Sequence, residues 1–414
     1  MASYQQVKDS AAGLSKGGQG LSSPFFPPTR FGGRNRAGKL GSLGLVILAA
    51  FLLSACSNLG AWDLIARDGR SCKKRIEIDL SALAQATTLN DFPVLVELTS
   101  AWFPYSLSSS NGYDIRFSAA DGSTPLQFER ESWNPGGTSL FWVKVPSLAA
   151  SPASTSIWIY FDSTYPEDLS DPPAVWSNGY VGVWHGSVET VGGLPAYPDS
   201  TGKNDGSAPG PYSAAQASPN GYVGGGWAFT GTKDAVVLAA ASDLADLGPL
   251  TFEAWFYDSG SAVGAMLLSK GTGASGDYLG LTVKTGRSLS LTVPYGSSAL
   301  TITSPASLWV ASTWSDIGLS WDGSDGSAGC VFFANGASET PSGSTPGSGA
   351  RVSDAGYQMV FGNTYTPPIS NPISGILDEV RLSNVARSAD WMKAEYLAQQ
   401  GSHLSFGTVQ DAPQ

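Results

Sequence analysis

The chain has 414 residues, of which 42% are hydrophobic, 11% aromatic and 14% charged, with 50 Gly, 26 Pro and 13 Trp. That length suits two or three domains, and the composition excludes a disordered chain. The formal charge is −11, yet residues 1–55 hold six basic residues (Lys8, Lys16, Arg30, Arg34, Arg36, Lys39) against Asp9 alone. The remaining body is therefore strongly acidic, which argues against nucleic acid as a partner, because phosphate binding needs a basic face.

Residues 40–55 read LGSLGLVILAAFLLSA without a charge, follow the basic residues and precede Cys56. A stretch this short fits the apolar part of an export signal better than a membrane span, which needs about 20 residues. Leu53-Ser54-Ala55-Cys56 resembles the acylation motif of bacterial lipoproteins. The resemblance implies cleavage before Cys56 and lipidation of its thiol, so that the membrane is contacted through a lipid anchor. Ser57 in place of Asp implies, by resemblance to Gram-negative lipoproteins, transfer to the outer membrane. The expected location is thus the bacterial cell envelope. Residues 1–55 form a leader and signal peptide, with a long Gly-, Ser- and Pro-rich segment before the apolar run.

Residues 56–180 carry strand patterns separated by turn residues. Arg75–Leu80, Pro93–Leu98, Asp114–Phe117 and Leu126–Glu129 alternate polar and apolar residues, while Leu140–Val145 and Ile157–Phe161 are apolar on both faces. Period-two patterning punctuated by Asn111-Gly112, Asp121-Gly122 and Pro135-Gly136-Gly137 predicts an antiparallel β-sandwich. The ordered segments Lys74–Ile78, Asp91–Val96, Gly112–Phe117, Trp142–Pro146 and Ile157–Phe161 resemble a bacterial domain of unknown function that precedes laminin-G-like modules.

Residues 181–410 continue in the same style. Val181–His185, Gly226–Gly231, Asp234–Leu238, Leu250–Phe256, Tyr278–Val283 and Gly375–Leu382 read as strands. Their order, and above all Leu377-Asp378-Glu379-Val380-Arg381 followed by Ala386-Arg387-Ser388, resembles laminin-G-like modules of the concanavalin A-like lectin and glucanase superfamily. The resemblance implies a jelly roll of two curved sheets. The predicted fold class is all-β: two tandem antiparallel β-sandwiches, the second a concanavalin A-like jelly roll. One short C-terminal helix is expected over Ala389–Gln400, capped by Ser388 and stopped by Gly401, with Trp391, Ala394 and Leu397 on its packed face.

Candidate sites follow. The loop from Asp199 to Gly206 is dense in oxygen ligands, and in laminin-G-like jelly rolls a structural Ca²⁺ ties such a loop to the closing strand. That resemblance nominates Asp199, Asn204 and Asp378, with local turn bonding of Asp199 and Asn204 as the alternative. Sugar sites stack aromatic rings on pyranose faces, and Tyr212, Tyr222 and Tyr365 stand in Pro- and Gly-rich loops. No catalytic residue is nominated. The Glu-x-Asp-x-x-Glu pattern of related glucanases is incomplete at Glu77-Ile78-Asp79, and strand alternation should turn the adjacent Asp378 and Glu379 to opposite faces. His185 is expected as a packed residue at the domain joint. Gly271–Gly276 matches a nucleotide-binding pattern but runs into a strand and is expected as a hairpin loop. Cys72 and Cys330 fall in different domains, which favours two separate buried thiols over a disulfide.

These signals point to a non-catalytic, lipid-anchored recognition protein that binds a glycan or an envelope or surface protein through the jelly roll. The alternatives are a structural envelope or adhesion scaffold and a polysaccharide hydrolase with an atypical active site.

Overall fold

A computed structural model describes residues 72–413 except 165, 273–277, 365–369 and 402, all of them within the compact unit Leu59–Gln414. Cys56 and Tyr365 lie outside the described residues. The first sandwich stacks two sheets. One contains Lys74–Asp79, Ser156–Phe161 and Arg116–Ala119; the other runs Leu89–Thr99, Thr138–Leu148, Phe128–Ser132. Ile76, Ile78, Phe117, Ile157 and Ile159 from one sheet meet Val94, Val96, Phe128, Phe141 and Val143 from the other in a single core.

The second sandwich is a jelly roll of an eleven-stranded and an eight-stranded sheet. Its core gathers Trp184, Trp227, Phe252, Phe256, Leu281, Leu319 and Leu377. The glycine motif at 271–276 falls between Met266–Gly271 and Tyr278–Lys284, which pair antiparallel with Gly271 opposite Tyr278. No helix follows to direct a dipole at a phosphate.

The two sandwiches are packed together. The strand Thr138–Leu148 is apolar on both faces because both are covered: Phe141 meets Phe117 inside the first sandwich, while Trp142 turns outward onto His185 and Trp176. Val183 and Phe333 of the jelly roll belong to the same buried cluster as the first sandwich's core.

Several features depart from a simple tandem. A second, four-residue helix, Pro172–Val175, joins the sandwiches, with Pro at its start and Asp171 accepting from the Ala174 N–H. The chain after the C-terminal helix also returns to the first sandwich: Ser405–Phe406 and Gln410–Asp411 both pair with Lys74–Asp79. The jelly roll therefore ends before residue 410, because unpaired edge groups of the first sheet are satisfied by the tail. Cys72 and Cys330 are free and buried apart.

The C-terminal helix spans Ala389–Ala398, with the Ser388 Oγ accepting from the Trp391 N–H and Gly401 at φ +63°. It packs against the first sandwich as well as the jelly roll: the Trp391 ring meets Phe92 at 5.0 Å, and Trp391, Met392, Ala394 and Ala398 are buried in the first sandwich's cluster. The Trp391 indole N–H is buried without a hydrogen-bond partner. Its contribution is therefore packing, together with the Arg387 guanidinium 4.1 Å from its ring. Trp391→Ala should cost about 3–5 kcal/mol, whereas Trp391→Phe should cost under about 1 kcal/mol. Chemical denaturation of both variants checks this, and equal losses would contradict it.

Candidate functional site at the seam between the sandwiches

The site begins on the strand Phe128–Ser132. Alternation sends Phe128 into the first core and Glu129 outward beside its cross-strand partner Trp142. A bulge between Arg130 and Ser132 leaves Glu131 free to turn to the same side. Arg130 meanwhile forms a two-pronged pair with Asp168, at 2.7 Å for each contact. Glu129 accepts from the Trp176 indole at 2.5 Å and from the Ser200 hydroxyl at 2.7 Å. Glu131 accepts from the Trp142 indole at 2.8 Å.

The jelly roll supplies the opposing groups. His185 follows the strand Tyr180–Trp184, and Gly186 at φ +72° then turns the chain. A Cβ at Gly186 would lie 2.4 Å from the Gly225 carbonyl oxygen, so this turn needs glycine. On the strand Ser374–Ser383, Leu377 and Val380 both enter the jelly-roll core. Strict alternation forbids two inward residues three positions apart. A bulge resolves this: Asp378 pairs with Trp255 and Arg381 with Glu253, leaving Glu379 and Val380 opposite Ala254. Glu379 is the bulged residue, at φ +49°. The expectation that Asp378 and Glu379 face opposite sides is thereby corrected, since the extra residue brings both carboxylates to the outer face. Asp378 accepts from the backbone N–H groups of Tyr222, Val223 and Glu379 at 2.7–2.8 Å.

Glu379 and Glu129 grip His185 from two sides, with Nδ1 lying 2.8 Å from Glu379 Oε1 and Nε2 lying 3.3 Å from Glu129 Oε2. Glu131 Oε2 stands 3.8 Å from the same Nδ1. Behind them sits Arg381, only 1% exposed, with ion pairs to Glu379 at 2.8 Å, Glu395 at 3.2 Å and Glu253 at 3.7 Å. Its guanidinium lies 4.5 Å from the Trp142 ring and 4.9 Å from the Trp176 ring, two cation–π contacts from the first sandwich. The Tyr180 hydroxyl donates to Glu395 at 2.5 Å.

Burial alone would hold His185 neutral, but the charges of Glu379, Glu129 and Glu131 outweigh it and lift its pKa well above the usual range. The same contacts hold Glu129 and Glu379 low against the upward push of burial. Glu131 goes the other way: burial, reinforced by the Glu379 and Glu129 charges, raises it to about 8. Deeper in the seam, burial and the Glu395 charge push Asp316 up to about 7 and Glu253 well above the carboxylate range.

A cavity of about 330 Å³ opens onto this cluster, lined among others by Glu129, Glu131, Ser132, His185, Ser187 and Ser200. It offers carboxylates and hydroxyls beside an apolar wall that includes Pro198, Gly224 and Gly225. Among the described residues, Glu131, His185 and Glu379 present donor atoms within 4.8 Å of one another, close enough to share one metal ion.

Of the residues expected from sequence, Asp378 borders this cluster, while Asp199, Asn204, Tyr212 and Tyr222 make other contacts. Asp199 accepts from the Val183, Thr201 and Asn204 N–H groups and from the Thr201 hydroxyl, all at 2.6–2.9 Å. Asn204 donates to the Val181 carbonyl at 2.7 Å and to Asp243 at 3.1 Å. Asp199 thus binds the backbone at Val183, while Asp378 sits beside Gly186. Tyr212 is half-buried, its hydroxyl donating to the Thr364 carbonyl at 2.8 Å and its ring packed on Ala235, Val237 and Val360. Tyr222 stacks face to face on Trp255 at 3.4 Å. Glu129, Glu131 and Arg381 were not nominated from sequence. The one local signal of the two glutamates is the Glu129-Arg130-Glu131 spacing, which on a strand puts both on one face.

The fold is an antiparallel sandwich joined to a jelly roll. Residues 230–393 match the family model described as the concanavalin A-like lectin/glucanases superfamily, and residues 111–182 match a domain of unknown function, DUF2341. The second sandwich is thus a laminin-G-like jelly roll of that superfamily, preceded by the domain of unknown function. No curated protein matches the chain. Among solved structures, Trypanosoma rangeli sialidase with 2,3-difluorosialic acid is 16% identical with TM-score 0.40, the match covering 64% of this chain and 42% of that one. The binding domain of Paraclostridial Mosquitocidal Protein 1 is 10% identical with TM-score 0.37, covering 52% and 52%. The Ruminococcus gnavus sialidase module CBM40, bound to α2,3 sialyllactose, is 17% identical with TM-score 0.29, covering 36% and 83%. The chain thus spans about half the length, or less, of the first two of these structures.

The raised Asp316 pKa has a consequence for stability. Its folded value, about 7, exceeds its ordinary 3.8, so the folded state binds more protons between those values. Its contribution is full below about pH 4 and is lost as pH rises to 7. The melting temperature of Asp316→Asn relative to wild type should therefore rise steadily from pH 4 to pH 7. A difference that stays constant over that window would contradict this.

Proposed function

We propose that the chain is an exported, lipid-anchored recognition protein of a bacterial cell envelope, which binds a glycan in the seam cavity and carries out no catalysis. The observation that carries this reading is the cavity of about 330 Å³ with its lining of Glu129, Glu131, Ser132, His185, Ser187 and Ser200. Pockets for small ligands start near 300 Å³, and sugar hydroxyls are matched by carboxylate and hydroxyl partners. The superfamily matched by residues 230–393 takes its name from lectins as well as glucanases, which supports a saccharide over other small polar ligands. A concave polar cavity suits a glycan better than a flat protein surface. Anchoring rests on Leu53-Ser54-Ala55-Cys56, and the acidic body keeps nucleic acid off the list of partners.

A second reading is favoured by one feature. Glu131 is raised to about 8 while Glu129 is held low, and splitting a carboxylate pair in this way is how glycosidases create an acid beside an anion. Against it, both oxygens of Glu129 are engaged by Trp176, His185 and Ser200.

A glycan array probed with the full-length chain in detergent separates these readings. Recognition predicts retained glycans without turnover, with affinity falling about fivefold in Glu131→Gln, the loss of one hydrogen bond of a protonated carboxyl. An empty array would contradict the reading, and release of reducing sugar that Glu131→Gln abolishes would establish the hydrolase. Fatty-acid labelling of the same chain should depend on Cys56, and label persisting in Cys56→Ser would contradict the anchor.

A further inference from the structure

The seam cluster has the features of a metal centre. His185 Nδ1, Glu379 Oε1 and Glu131 Oε2 converge from three separate strands or strand ends of both sandwiches, with Nδ1 at 2.8 Å from the first oxygen and 3.8 Å from the second. Donors bound to one ion at about 2.1 Å stand about 3–3.5 Å apart, and the three atoms here all lie within 4.8 Å of one another, so adjustments of about an ångström bring them onto a common ion. Each ligand is also held from behind. The Trp142 indole donates to Glu131, the Arg381 guanidinium donates to the far oxygen of Glu379, and Glu129 lies at the opposite nitrogen of His185. A carboxylate on Nε2–H is what leaves the Nδ1 lone pair directed at an ion. Glu129 is fixed in turn by Trp176 and Ser200.

Glu131 and His185 both line the cavity, so an ion has a path in and room for water or a ligand hydroxyl as a further donor. Three carboxylates surround one imidazole here, and Arg381 pairs with only one of them. We infer that Glu131, His185 and Glu379 bind one divalent transition-metal ion at the floor of the seam cavity. One imidazole and two carboxylates suit Zn²⁺, Mn²⁺ or Fe²⁺ better than Ca²⁺, which takes six to eight oxygens. Entry of the ion displaces protons from His185 Nδ1 and from Glu131, so binding weakens in acid. This centre is separate from Asp199 and Asn204, and it shares its cavity with the glycan reading without requiring it.

The test uses the full-length chain in detergent, stripped with chelator, dialysed against Zn²⁺ and analysed for bound metal, with Ca²⁺ in a parallel arm. One Zn²⁺ per chain is expected, lost in Glu131→Gln and His185→Gln and kept in Asp199→Asn. Two results would each overturn the inference: no bound Zn²⁺ in wild type, or stoichiometric Zn²⁺ retained by Glu131→Gln. Stoichiometric Ca²⁺ in place of Zn²⁺ would overturn the assigned metal class. Should His185→Gln lose its far-ultraviolet spectrum, Glu131→Gln decides, with Co²⁺ absorption bands in wild type reporting an imidazole–carboxylate environment. Zinc binding on a chain that retains no glycan leaves the metal site standing and removes the glycan reading; the converse result removes the metal alone.

Discussion

Arg381 is the group around which the rest of the molecule is arranged. It is buried in the outer face of the jelly roll, and every partner it has lies in the seam: Glu379, Glu395 and Glu253 from its own domain, and the Trp142 and Trp176 rings from the first sandwich. A guanidinium cannot shed its charge, so it can be buried only where carboxylates and ring faces replace its water. That requirement fixes how the two sandwiches meet. It also fixes Glu379, whose other oxygen then reaches His185.

The network does not owe its presence to raw stability. Burying paired charges costs nearly what their attraction returns, and a packed apolar seam could hold two domains equally well. What a charged seam adds is geometry. Glu129, Glu131 and His185 are held at defined distances beside an open cavity, and the surroundings raise the pKa of Glu131 and Asp316 while they lower that of Glu129 and Glu379. An arrangement of fixed donors beside a cavity, with neighbouring carboxylates in opposite protonation states, is the usual form of a binding site.

Local chemistry made most of the fold readable in the sequence. Alternation marked the strands of both sandwiches, Ser388 and Gly401 bounded the helix between them, and the strand after Met266–Gly271 marked its glycine motif as a hairpin. The four-residue helix Pro172–Val175 is too short for periodicity to register, and the pairing of the tail with Lys74–Asp79 is a long-range event without a local trace. The seam was hidden for the same reason. Glu131 and Glu379 are far apart in the chain, and the bulge that unites Asp378 with Glu379 places a glutamate at positive φ, where sequence reasoning looks for glycine. One trace was present: Leu140–Val145 is apolar on both faces, which signals a strand covered on both sides, and the cover proved to be the second domain. Tyr212 and Tyr222, suggested by their loops, are half-buried, with their rings against Val237 and Trp255 respectively.

The central claim is that the charged seam couples the two sandwiches into one cooperative unit. Differential scanning calorimetry of the full-length chain and of Arg381→Met tests it most directly. Wild type should unfold in one transition, and the variant should lose about 3–5 kcal/mol, the cost of leaving buried partners unpaired, and separate into two transitions. Two independent transitions in wild type, or an unchanged profile in Arg381→Met, would contradict the account.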